Sequence, residues 1–196
     1  MARTAIVVRT ATPDDADGIA ELWSQLRGHG GRGAQYTPAP TVERVLEALT
    51  FANEDSSARM LVAVSGDAVV GMALAVLAPV SPFISFQVVQ VDYLQVLQGF
   101  ERQGVGKALL ASATAYADEV GCDHLLVNVF PGARDAHRFY ARLGFQPVVT
   151  RRMAHVSVLR RRLGLETASS AHEGRSARRR AVLIGRRPLA SGLRRT

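Results

Sequence analysis

Apolar positions near the start of the chain fall at helical spacing twice. A short β-branched run at 4–9 predicts a strand, and Thr12-Pro13-Asp14-Asp15 supplies an N-cap, a first-turn proline and first-turn acids. Ile19, Leu22, Trp23 and Leu26 then recur at i, i+3, i+4 and i+7, which predicts a helix ended by Gly28. Glycine and proline fill 28–40, predicting a mobile loop. Thr41 restarts a helix whose stripe is Val42, Val45, Leu46 and Leu49.

From Ala58 the period becomes strand-like. RMLVAV, the turn Ser65-Gly66-Asp67 and AVVGMALAVL predict a hairpin that Pro79 and Pro82 end. Residues 84–97, ISFQVVQVDYLQVL, predict the longest strand, with Phe86, Val88, Gln90, Asp92, Leu94 and Val96 sharing one parity. A helix follows, with Val105, Leu109, Ala113, Tyr116 and Val120 on one face and Gly121 as a stop. HLLVNVF predicts a buried strand, and ARDAHRFYARLG a helix with Ala136, Phe139, Tyr140 and Leu143 at helical spacing. Residues 145–160 return to β character. The order β-α-α-β-β-β-α-β-α-β-β combines antiparallel hairpins with one β-α-β crossover, so the predicted class is α+β on a mixed sheet.

Composition narrows the setting. With 196 residues, 47% of them hydrophobic, the chain can bury a core without a staple. The single Cys122 excludes an intramolecular disulfide and a thiolate metal cluster, and no spacing of His124 or His155 suggests a metal, so no metal is expected. The N-terminus lacks an apolar signal region, and no stretch offers about 18 uninterrupted apolar residues, so a cytoplasmic protein away from membranes is expected. The net charge of +7 is uneven: residues 151–196 hold 13 arginines against Glu166 and Glu173, leaving residues 1–150 with 11 basic and 15 acidic groups. Periodicity stops after Leu165, and 166–196 is predicted to be a disordered, Arg-rich tail without the interleaved aromatics of a specific nucleic-acid binder.

RQGVGK, residues 102–107, lies between a predicted strand and helix, where glycines allow close backbone approach and free helix-start N–H groups face an anion. Glu101 and Ala108 rule out a Walker A loop, and Leu109 a dinucleotide fingerprint. The run DYLQVLQGFERQGVGKALL, followed by LLVNV and DAHRFYARLGF, resembles the GNAT superfamily of acetyl-CoA-dependent N-acetyltransferases. The resemblance spans most of residues 4–150 in element order and is sharpest over 90–147. It implies six to seven mostly antiparallel strands with a splayed central parallel pair and about four flanking helices, forming a domain over residues 1–165.

It also implies that Arg102, Gln103, Gly104, Val105, Gly106 and Lys107 bind the pyrophosphate of coenzyme A, and that Leu94, Gln95 and Val96 pair through their backbone with the pantetheine arm. Tyr140 matches the tyrosine that contacts the cosubstrate and protonates the departing thiolate; the same spacing suits a core aromatic. An amine must be neutral to attack, and Asp92 is the candidate base, or else a solvated or ion-paired strand residue. Three positions depart from the family pattern: Glu101 replaces an Arg or Gln, Asn128 replaces a carboxylate used by other members, and Ala133 replaces an Asn. The expected activity is acetyl transfer from acetyl-CoA to a primary amine of a small molecule or protein by direct attack in a ternary complex, with a homodimer allowed. The alternative is a degenerate acetyl-CoA-binding module whose basic tail grips nucleic acid or an acidic partner.

Overall fold

The computed structural model describes residues 5–28, 39–81 and 83–165; the predicted loop at 28–40 falls largely, and the predicted tail at 166–196 wholly, outside the described residues. Five strands form one sheet in the order β1-β2-β3-β4-β5: β1 (Ile6–Thr10), β2 (Ala58–Ser65), β3 (Ala68–Ser81), β4 (Ile84–Val96) and β5 (Leu125–Val127). The helices are α1 (Ala16–Gly28), α2 (Val42–Glu54), α3 (Val105–Glu119), α4 (Arg134–Arg142) and α5 (Val156–Arg162). The chain divides into two units, Met1–Phe145 and Gln146–Thr196. None of the helices among the described residues is long and apolar enough to cross a membrane.

In the first unit, β1 to β4 pair antiparallel in sequence order, and β4 pairs parallel with β5 across the α3 crossover. Among the described residues the parallel pair therefore lies at one edge of a five-stranded mixed sheet, slightly fewer strands than the six to seven expected. Strand alternation divides the core in two. Met60, Val62 and Met72 face Ile19 and Leu22 of α1 and Val45 and Leu49 of α2. Leu61, Ala63, Ala73, Ala75, Val89 and Val91 face Val105, Leu109, Ala113 and Tyr116 of α3 and Tyr140 of α4.

The first helix is approached through a pinned turn. Asp15 is 6% exposed and accepts from Arg9 Nη1 and Nη2 at 2.6 and 2.8 Å and from the Thr12 N–H at 2.8 Å. The Arg9 hydrogen bond chiefly holds the Asp15 carboxyl below its ordinary pKa against the opposing effect of burial. Thr41 caps α2 by accepting from the Arg44 N–H at 3.4 Å.

In the second unit the expected β structure at 145–160 is absent from the described residues. His155 instead caps α5, its Nδ1 accepting from the Ser157 N–H at 3.4 Å, and Arg160, Arg161 and Arg162 occupy the last turn beside the helix's negative end. A cap and favourable charge placement prevail there over the β propensity of Val156 and Val158.

Candidate active site

The site grows from the place where β4 and β5 part. Parallel pairing covers only Val89, Gln90 and Val91 opposite Leu125, Leu126 and Val127. Beyond Val91, β4 continues to Val96 alongside β3 alone, so that side of β4 has no strand partner among the described residues. The predicted strand HLLVNVF is thus reduced to three residues.

A β-bulge changes the faces of β4 at the same point. Met72 lies opposite Gln95 and Leu74 opposite Asp92, so Ala73 spans Tyr93 and Leu94. Tyr93 takes φ 54°, the left-handed region that accommodates the extra residue. Gln90 and Asp92 consequently belong to the α1/α2 side, whereas Leu94 and Val96 join the α3/α4 core. The simple parity expected from the sequence is interrupted, because alternation holds only where neither strand carries an extra residue. Gln95 shares the α1/α2 side, and its Oε1 is buried without a hydrogen-bond partner among the described residues.

The glycine turn follows directly. Gly104, at φ 89°, is the N-cap of α3 and offers no capping side chain. The first closing bond runs from the Ala108 N–H to the Gly104 carbonyl, leaving the N–H groups of Val105, Gly106 and Lys107 without a helical acceptor. These donors lie at the positive end of a helix whose first turn contains no acid. Gln103 Nε2 donates to the Gly99 carbonyl across the turn, and Arg102 adopts φ 59°. Glu101, Arg102 and Gln103 are exposed, as is Lys107.

Leu94 and Val96 of β4 meet Phe139 of α4 around Gly106: a Cβ built at Gly106 would lie 3.5 to 3.8 Å from all three side chains. Next to Phe139, Tyr140 is 8% exposed and packs at 5.1 and 5.4 Å, centroid to centroid, against Phe139 and Phe145. Burial raises its phenol pKa. The two readings of Tyr140 left open by the sequence are therefore compatible: its ring belongs to the core, while its hydroxyl remains a protonated donor at neutral pH.

Asp92 is bound by two side-chain amides. Gln90 Nε2 donates to Oδ2 at 2.6 Å, and Asn128 Nδ2, one residue beyond β5, donates to Oδ1 at 2.6 Å. No Arg, Lys or His among the described residues ion-pairs with Asp92. The adjacent Tyr93 ring lies 5.3 Å from Trp23 of α1, centroid to centroid. Gln90 and Trp23 were not site candidates from sequence; the Gln-x-Asp alternation hinted at the first, but only the bulge brings Tyr93 to Trp23. His137 Nε2 lies 3.1 Å from the Phe130 carbonyl, and Ala133 is the N-cap position of α4. No group of three or more His, Cys, Asp or Glu able to hold a metal ion occurs among the described residues.

Residues 23–145 match the family model for the Acetyltransferase (GNAT) family. No curated protein matches the chain in sequence. Among solved structures, a transcriptional regulator from Bacillus halodurans has TM-score 0.66 at 21% identity, covering 77% of this chain and 99% of its own. An aminoglycoside N-acetyltransferase in complex with CoA has TM-score 0.63 at 18% identity, covering 77% and 94%. Glucosamine-6-phosphate N-acetyltransferase from Arabidopsis thaliana has TM-score 0.61 at 13% identity, covering 77% and 99%. At these identities the structures show a shared fold, while the family match spans both the glycine turn and the tyrosine-bearing helix; the chain belongs to the GNAT acetyltransferase family.

Proposed function

We propose that the chain moves the acetyl group of acetyl-CoA to a primary amine by direct attack in a ternary complex. The observation that carries this reading is the unpaired side of β4 leading into an uncapped helix start. An extended amide-bearing arm can pair with the backbone at Leu94, Gln95 and Val96, and a pyrophosphate can take the N–H groups of Val105, Gly106 and Lys107. Arg102, Gln103 and Gly104 shape the turn, and Arg102 and Lys107 add positive charge. Because most of these contacts are backbone ones, exposed Glu101 does not remove them.

The amine nitrogen attacks the thioester carbonyl carbon, an N–C bond forms, and collapse of the tetrahedral adduct breaks the C–S bond. Tyr140 donates its hydroxyl proton to the departing thiolate; burial favours the neutral phenol needed for that step. Asp92 receives the ammonium and accepts a proton directly or through water as the nitrogen becomes nucleophilic. After attack the nitrogen loses its second proton, directly or through water, to the Tyr140 phenolate, which restores the phenol; Asp92 returns the first proton to solvent, so the products are an amide, free thiol and one released proton.

The two acetyltransferases of similar fold, named for an aminoglycoside and for glucosamine-6-phosphate, support a small amine-bearing acceptor. Incubating the full chain with acetyl-CoA and a panel of primary amines should release thiol with at least one of them. No thiol release across the panel, together with no calorimetric binding of CoA, would overturn the reading. A reducing cytoplasm, where acetyl-CoA is supplied and Cys122 stays a thiol, is the compartment this reading favours.

A further inference from the structure

We infer that Asn128 is a positioning residue: with Gln90 it aims the Asp92 carboxylate at the ammonium of a cationic acceptor where β4 and β5 part. The inference rests on the amine-acetylation reading above. The last backbone pair is Val91 opposite Val127, so the next residues in register are Asp92 and Asn128. There the strands are joined by a side-chain bond, Asn128 Nδ2 to Asp92 Oδ1, at 2.6 Å. Gln90 Nε2 holds the other oxygen at the same distance from within β4. Donors from two strands thus fix the carboxylate against rotation.

Both donors are neutral amides, and neither can discharge the carboxylate. An ionised carboxylate offers about four acceptor positions, so two remain after these bonds. With no basic side chain among the described residues paired to Asp92, the arrangement is a restrained anion lacking a cation. An alkylammonium supplies both the charge and the N–H donors. The Trp23–Tyr93 ring pair beside Asp92 adds aromatic faces, which attract the same kind of ligand. A neutral acceptor gains only the hydrogen bonds, and an anionic group placed there is repelled.

Removing the Asn128 amide should release one carboxylate oxygen and weaken acceptor binding about tenfold, the scale of one hydrogen bond to a charged group. The test uses the full chain at saturating acetyl-CoA with spermidine, tyramine and glucosamine as probe amines. Asn128→Ala should raise the amine KM about tenfold with little change in kcat or acetyl-CoA affinity, and Asn128→Gln, which keeps a donor, should recover part of that loss. Because Asp92→Asn also removes the proposed base, the double variant is read by calorimetric binding of the same amines: in an Asp92→Asn background, Asn128→Ala should add nothing, since its effect passes through Asp92. In isotope-labelled protein without any amine, Asp92→Asn should also shift the side-chain amide resonance of Asn128.

An unchanged KM, full additivity with Asp92→Asn, or an Asn128 resonance that ignores Asp92→Asn overturns the inference while leaving the acetyltransferase reading intact. Lowered thermal stability with unchanged KM likewise assigns Asn128 a structural role and overturns it. A wild-type chain that turns over none of the probes, yet shows the resonance shift, overturns the amine reading, and the positioning role fails with it.

Discussion

Replacing Gly71 by alanine should disturb the proposed donor site from the neighbouring strand β3, on the sheet face that α3 covers. Gly71 lies in β3 opposite Val96, where a Cβ would stand 2.9 Å from Val105 Cγ1, 3.0 Å from the Gln95 carbonyl oxygen and 3.2 Å from Leu109 Cδ1. Val105 is the first residue of α3 and is 1% exposed, so its β-branched side chain has little room to yield. Overpacking of this kind costs about 2 kcal/mol, which lowers Tm by about 4–8 °C in a chain of this size. The added methyl pushes on the helix start and on the β4 backbone together, so CoA affinity should fall in the same variant. Thermal unfolding and calorimetric titration with CoA measure the two effects. Val105→Ala removes the nearest atom, so Gly71→Ala combined with Val105→Ala should cost less than the two single changes added together. Wild-type Tm and CoA affinity in Gly71→Ala, or strict additivity in the double variant, would refute the packing argument.

Three further outcomes follow from individual contacts. Tyr140→Phe should lower kcat by about 100-fold or more while leaving CoA affinity near wild type, as measured by steady-state kinetics and calorimetry. Because burial raises the Tyr140 pKa, the wild-type rate should keep its phenol proton through neutral pH and lose it only as pH rises beyond the ordinary tyrosine value of about 10; a loss of rate assigned to this residue below that range contradicts the role. Asp15→Ala should cost about 2 kcal/mol at neutral pH through the lost charge-assisted bonds to Arg9. Since the Asp15 pKa is lowered on folding, its contribution is present above the unfolded value of about 3.9 and disappears as pH falls through the native value, so denaturant unfolding of wild type and variant should converge in acid. Gln95→Met, which removes at similar volume the buried oxygen that lacks a hydrogen-bond partner among the described residues, should raise stability by about 1 kcal/mol in denaturant unfolding; a loss would refute that expectation.

The elements legible in the sequence are those whose local pattern and tertiary environment agree. Val105, Leu109, Ala113 and Tyr116 repeat at helical spacing, and all four are buried against the sheet. Ser65-Gly66-Asp67 joins β2 to β3, with Gly66 at φ 62°. The glycine turn was legible for the same reason: Gly104 at φ 89° is a conformation glycine adopts readily. The bulge was not, because its left-handed residue is Tyr93, and a bulky side chain carries no local signal for positive φ. Uninterrupted alternation puts Asp92 on the same face as Leu94 and Val96, from which the inserted residue separates it. The 145–160 segment carries β-branched residues, but the capped, Arg-ended α5 occupies part of it.

At Asp92 the sequence offered a carboxylate but neither of its partners. Asn128 lies 36 positions away, and their contact depends on strand register at the end of a parallel pair, which side-chain periodicity does not specify. Tyr140 could be located by motif and stripe alike; packing places its ring in the core, and burial raises its phenol pKa further above neutral pH.

In the proposed mechanism the unpaired side of β4 and the start of α3 form the donor site for acetyl-CoA. Calorimetric titration of the full chain with acetyl-CoA tests it most directly. Saturable one-to-one binding in the micromolar range is expected, weakened by Gly71→Ala and retained by Tyr140→Phe. No saturable heat at millimolar acetyl-CoA, or binding unaffected by Gly71→Ala, would contradict it.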